Sequence, residues 1–137
     1  MARTYDEIQV GDAAVFEKTI TETDVYLYAG ITGDFNPAHV NAKKAAESRF
    51  KKPIAHGMLV AGLISTVLGT RLPGEGTIYM GQELKFTAPV FFGDTITVTA
   101  TVVEKLEKGR VRLETVCRNQ NDEVVTTGTA LVLAPRN

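Results

Sequence analysis

Hydrophobic and polar positions divide this chain into two unlike halves. From residue 76 to 134 they alternate with period two, the spacing of strands that bury one face. Ile96, Val98, Ala100 and Val102 share one side of a segment whose other side is Thr95, Thr97, Thr99 and Thr101. Val111, Leu113, Thr115 and Cys117 likewise lie opposite Arg110, Arg112, Glu114 and Arg118. Ile78, Met80, Leu84 and Phe86 make a further row expected to point inward. Lys108-Gly109 and Asn121-Asp122 supply turns between these runs. The last run is apolar on both sides, with Val124, Ala130 and Val132 on one and Val125, Leu131 and Leu133 on the other. A sheet backed by one helix needs one apolar face, so the surplus predicts a second subunit.

The first 70 residues read differently. AAVFEKTI fits an opening strand. Thr21-x-x-Asp24 has the form of a capping box, with Asp in place of the usual Glu, and Gly30 is expected to close a helix over residues 22–30. Asn41 can cap a second short helix, AKKAAES. GMLVAGLISTVLG, residues 57–69, contains no charge at all. A helix that is apolar all round is expected to be buried all round. At about 20 Å it is too short to cross a bilayer, which makes it a core helix. One buried helix with a long antiparallel sheet predicts an α+β layer arrangement, the sheet wrapping the helix as in a hot-dog fold.

Composition narrows the picture. The chain has 137 residues, with 15 Lys and Arg against 16 Asp and Glu. That size suits a single domain over residues 1–137. The near-balance of charge gives no electrostatic reason to expect nucleic acid or an anionic membrane as partner. MARTYDEIQVGD lacks the apolar core of a secretory signal, and a single cysteine excludes an internal disulfide, so a cytoplasmic setting is expected. Cys117, on the inward side of its strand, reads as a small core residue and not as a nucleophile. Gly74-x-Gly76 precedes a strand and lacks the lysine and helix of a phosphate loop. Glu75 and Glu83 have no histidine or carboxylate at metal-ligand spacing. Lys43, Lys44, Arg49, Lys51 and Lys52 form a basic run, ordinarily a solvated face, which a phosphate-bearing ligand such as coenzyme A would make useful.

Candidate chemistry concentrates in GDFNPAHVN, residues 33–41. Gly-Asp and Asn-Pro are common turn pairs, so an ordinary loop is one reading. The other is an acid/base pair. On a continuous helix Asp34 and His39 would point about 140° apart. Pro37 forbids that helix by pushing Asn36 out of the α region, and a bend there lets both side chains aim at one point. A carboxylate and an imidazole converging on a water can move its protons. AHGM, residues 55–58, opens the apolar helix. Its first N–H groups have no internal partner, so the Gly57 amide could hold a polarised carbonyl oxygen. The alternative is that Gly57 only lets the chain enter the helix, with His56 as a cap or packing residue. Ser65, eight residues further on, either bonds back to its own helix or orients a site residue.

Together these pieces resemble a known family. Tyr28-Ala29-Gly30-Ile31-Thr32-Gly33-Asp34-Phe35-Asn36-Pro37-Ala38-His39, with Ala45 beyond it, is similar to the hydratase 2 motif of the (R)-specific enoyl-CoA hydratases and MaoC-like dehydratases. AHGML (55–59) and GTIYMGQELKFTAPVFFGDTI (76–96) extend the likeness over nearly the whole chain. The resemblance implies a hot-dog homodimer and syn addition of water to a trans-2-enoyl thioester, giving the (R)-3-hydroxyacyl thioester. It implies Asp34 and His39 as the catalytic pair, Gly57 as the amide that binds the thioester oxygen, and Asn36 and Ser65 as supports. It implies no metal or redox cofactor, and an acyl-CoA or acyl carrier protein thioester as substrate. Ala38 departs from the Leu, Ile or Val usual in the motif, which removes bulk beside His39 and bears on how tightly the loop is held. An acyl-CoA thioesterase on the same scaffold would share Asp34 and Gly57, and His39 is the feature that separates the two. A 3-hydroxyacyl-ACP dehydratase would use the same chemistry on another carrier.

Overall fold

The computed structural model describes residues 2–136. Strand β1 (Ala13–Thr19) leads to helix α1 (Glu22–Thr32), the short helices α2 (Pro37–Val40) and α3 (Ala42–Ala46), and the long helix α4 (Gly57–Thr70). Four strands follow: β2 (Ile78–Phe86), β3 (Thr95–Lys105), β4 (Arg110–Arg118) and β5 (Val124–Leu133). They form one antiparallel sheet in the order β1-β3-β4-β5-β2. Helix α4 lies across it, touching β3, β2, β1 and β5. This is the hot-dog arrangement that the alternation and the uncharged helix predicted.

The two central strands carry the predicted pattern into the core. Ile96, Val98, Ala100 and Val102 of β3 are fully buried, as are Val111, Leu113 and Cys117 of β4. Against them α4 sets Val60, Ile64, Val67 and Leu68. Each such side chain contributes about 1.5–3 kcal/mol through removal from water. Thr115, the polar member of the β4 row, is buried and accepts a hydrogen bond from the Gln82 side chain at 3.0 Å. Burial pushes the Cys117 thiol up to about 12, which keeps it protonated and inert near neutral pH.

Local signals were largely followed. Thr21 and Asp24 make the reciprocal capping box of α1. The Thr21 backbone N–H, and secondarily Lys18 at 2.9 Å, hold the Asp24 carboxyl below the usual carboxylate range. The stabilisation from Asp24 is therefore full above that range and fades as pH falls through its lowered value. Asn41 caps α3 by accepting from the Lys44 N–H. Lys108 and Gly109, and Asp122 in the next turn, take positive φ where the sequence placed turns.

Four readings are corrected. Helix α1 runs past Gly30 to Thr32, and Gly33, at φ 82°, is its left-handed cap. Helix α4 is not buried all round: Met58, Gly62, Ser65 and Gly69 form an exposed side, because the sheet covers only the other one. In β2, Ile78, Met80 and Phe86 are exposed and Leu84 is half-buried. That strand is a sheet edge whose register shifts between Tyr79 and Gly81, so Leu84 and Phe86 face α4 while Ile78, before the irregularity, faces the other way. In β5, Ala130 and Val132 are buried on one side as grouped, but Val125 is buried with them in place of Val124. The two ends of β5 are out of phase, and the switch lies beside an irregularity opposite Cys117 and Arg118. Among the described residues no helix is long and apolar enough to cross a membrane.

Two glycines separate backbone approach from mere flexibility. A Cβ on Gly128 of β5 would lie 1.8 Å from the Glu83 carbonyl oxygen of β2, whereas one on Gly69 of α4 would meet nothing within 4 Å. Gly128→Ala is expected to destabilise the protein by about 3 kcal/mol through forced parting of the two strands. Gly69→Ala should instead stabilise it by about 0.5–1 kcal/mol. Urea denaturation of both variants checks the contrast.

Candidate active site

The stretch between α1 and α2 is shaped by short-range hydrogen bonds. The Gly33 N–H closes α1 on the Ala29 carbonyl at 2.8 Å, and its positive φ turns the chain out of the helix. Thr32 Oγ1 donates back to the Tyr28 carbonyl and accepts from the Asp34 N–H at 3.2 Å. Asp34 Oδ1 then accepts from the Asn36 N–H at 3.2 Å. Asn36 caps α2, its Oδ1 accepting from the Ala38 N–H at 3.0 Å, with Pro37 at the first helical position. Gly33 thus ends one helix and Pro37 starts another, and His39 falls on the new one.

His39 is nine-tenths buried, and its Nδ1 lies 2.6 Å from the Ile54 carbonyl oxygen. A carbonyl can only accept, so Nδ1 carries the proton. In the neutral ring Nε2 is then left as an acceptor. Ile54 also donates its own N–H to the Ala38 carbonyl at 3.1 Å. The small side chain at Ala38 takes no part in either bond, so main-chain groups hold the loop that carries His39.

The segment before α4 continues this pattern. Ala55 donates to the Val90 carbonyl at 2.7 Å. His56 occupies the N-cap position of α4 but makes no capping bond with its side chain, so of the two roles read for it, cap or packing residue, packing is left. Its ring is buried instead, stacked on His39 with centroids 3.8 Å apart and planes 28° from parallel. A carboxylate oxygen of Asp34 and a ring nitrogen from each of His39 and His56 all lie within 4.8 Å of one another. Asp34 is exposed while both rings are buried, so the residue that carries the carboxylate is open to solvent and the imidazoles lie beneath the surface beside it.

Gly57 follows as the first residue of α4, where its N–H has no intrahelical acceptor. A Cβ there would lie 2.8 Å from Cδ1 of Phe86, so the absence of a side chain lets the Phe86 ring of β2 pack against the helix start. The structure therefore gathers Asp34, His39, Asn36 and the start of α4 in one place. Ser65 is not among them: it sits about 12 Å along the axis from Gly57, on the exposed side of α4, with no hydrogen bond to Asp34 or His39. The basic run is exposed throughout, with Lys52 over the Phe91 ring at 4.2 Å. Sequence reasoning gave His56 only a cap or packing role and missed its place beside His39 and Asp34. The available signal was that it is the second of only two histidines.

Comparison with known proteins follows the same lines. Residues 7–126 match the family model described as MaoC like domain. Over 132 residues the chain is 52% identical to a protein of Rhodospirillum rubrum named (R)-specific enoyl-CoA hydratase, covering 96% of this chain and 91% of that one. It is 46% identical over 133 residues to the 3-hydroxybutyryl-CoA dehydratase of Methylorubrum extorquens, covering 96% and 84% respectively. The unliganded R-hydratase PhaJ1 of Pseudomonas aeruginosa matches with a TM-score of 0.95 at 46% identity, over 99% of this chain and 88% of that one.

The contact between Gly57 and Phe86 gives a direct check on the helix start. Gly57→Ala is expected to lower Tm by a few degrees, because the aromatic ring must leave its place. Adding Phe86→Leu to the same chain should return most of that loss in a thermal melt.

Proposed function

This chain belongs to the MaoC-like domain family, and on that basis we propose that it is an (R)-specific enoyl-CoA hydratase, a hydro-lyase that adds water reversibly to trans-2-enoyl-CoA. The observation that carries this reading is the convergence of the Asp34 carboxylate and a His39 ring nitrogen within 4.8 Å. The hydrogen bond from His39 to Ile54 supports it further, since it leaves Nε2 free to accept.

Water is a weak nucleophile, and an alkene accepts one only when its conjugated carbonyl is polarised. The Gly57 N–H is the donor that stabilises charge developing on the thioester oxygen; such a donor is typically worth about 10²–10³ in rate. Two acceptors, Asp34 and His39 Nε2, hold the two protons of the attacking water and aim its lone pair at C3. Asp34 takes one proton as the C–O bond forms. One proton is then delivered to C2 from the same face, which makes the addition syn and returns the pair to its starting state. Asn36 supports the pair through its N–H to Asp34 and its cap on α2.

We further place the protein in the cytoplasm, where the lone buried Cys117 stays reduced. The active species is a homodimer, in which a second copy covers exposed apolar side chains of the β2 edge strand, Ile78 and Met80 among them. The basic run near α3 suits the phosphates of coenzyme A.

Asp34→Asn and His39→Gln are each expected to cut the hydration of crotonyl-CoA by orders of magnitude while leaving the thermal melt intact. Loss of the enoyl absorbance gives the rate. Wild-type rates in both variants, or release of free thiol in place of hydration, would sink the assignment.

A further inference from the structure

We infer that His56 is a positioning residue for the proposed reaction, holding the Asp34 carboxylate and the His39 ring in register with the start of α4. The inference rests on the reading of Asp34 and His39 as the reacting pair. Its evidence lies in the contacts of His56 alone.

His56 Nε2 lies 3.0 Å from the backbone carbonyl oxygen of Asp34, across 22 positions of sequence. The carbonyl can only accept, so Nε2 donates. This bond fixes the peptide that follows Asp34. Its partner on the other side is the bond from the Asp34 N–H to Thr32 Oγ1. Between them they set the direction in which the Asp34 side chain leaves the backbone. That matters because the side chain itself is exposed and has little packing to hold it. The same ring of His56 lies against His39 at 3.8 Å, with Tyr28 behind it at 4.8 Å. His39 is thereby confined between the Ile54 carbonyl and the His56 ring. His56 also immediately precedes Gly57. One residue therefore links the peptide that carries the carboxylate, the imidazole and the helix-start amide.

A packing role alone does not account for this residue. With Nε2 committed as donor, Nδ1 of the neutral ring is an acceptor, and among the described residues it is buried without a partner. Burying an unpaired polar atom is unfavourable, and a phenyl ring of similar shape would fill the space without it. What an imidazole adds here is the donor at Nε2, and that donor ends on Asp34. Misplacement of a reacting group by about 1 Å can cost up to 10² in rate, which gives the scale of effect to look for.

His56→Phe keeps a ring against His39 and removes the donor; His56→Gln keeps a donor of similar reach. With crotonyl-CoA, His56→Phe is expected to lower kcat about 10–100-fold with KM changed less than about threefold and Tm not lowered. His56→Gln should recover most of the lost kcat. If His56→Phe does not fold, His56→Asn, whose donor falls short of the carbonyl, takes its place against His56→Gln. A kcat for His56→Phe within twofold of wild type, or equal losses in the Gln and the donor-lacking variant, would overturn the inference. Asp34→Asn in the same assay separates the two levels. If it is inactive while His56→Phe is not, only the role of His56 falls. If it is active, the reading of the pair falls and this inference with it.

Discussion

The structure depends on burying one side of α4 against a curved antiparallel sheet. That packing is the main apolar contact in the chain, and it places the helix start opposite the loop between α1 and α2. The four residues that lead into the helix then serve as a rail. Ile54, Ala55 and His56 bond in turn to α2, to the Val90 region and to the Asp34 peptide. Gly57 ends the series with a free N–H beside the Phe86 ring. A core formed for hydrophobic reasons thus fixes the relative positions of three polar groups from three parts of the sequence.

The same geometry explains how a water could be handled by one carboxylate and one imidazole held in fixed relation. The loop residues are held mainly by backbone bonds, which are short-ranged and directional. The two imidazoles have one nitrogen each tied to a carbonyl, so their tautomers are set by the main chain and not by each other. The carboxylate alone remains open to solvent. The arrangement puts the fixed elements inside and the variable one at the mouth, where a substrate would complete the enclosure.

Much of this was legible in the sequence. Period-two alternation in β3 and β4 named the core residues, because both strands are paired on each side and packed on one face. Pro37 showed that Asp34 and His39 need not diverge, since a proline at the first helical position is a local rule. What failed was whatever depended on edges and on distance. β2 kept only Leu84 and Phe86 of its expected inward row, because the register shift between Tyr79 and Gly81 changes the face taken by the residues before it. β5 changed phase beside the irregularity opposite Cys117 and Arg118, which alternation alone does not reveal. Gly30 and Gly33 are both able to end a helix, and the choice went to Gly33, next to the Thr32 hydroxyl that bonds back to Tyr28. The reach of His56 to Asp34 spans 22 positions and leaves no periodic trace.

The pair of hydrogen bonds between Ile54 and α2 has a consequence for how such a protein can change. His39 is oriented by a carbonyl, and its helix is anchored by an amide, so neither constraint reads the identity of a side chain at position 38 or 54. Mutation at Ala38 can therefore alter the volume next to the imidazole while its orientation is inherited unchanged. The chemistry and the shape of its surroundings are written in different parts of the polymer, one in the repeating backbone and the other in the replaceable side chains, and so can drift at different rates.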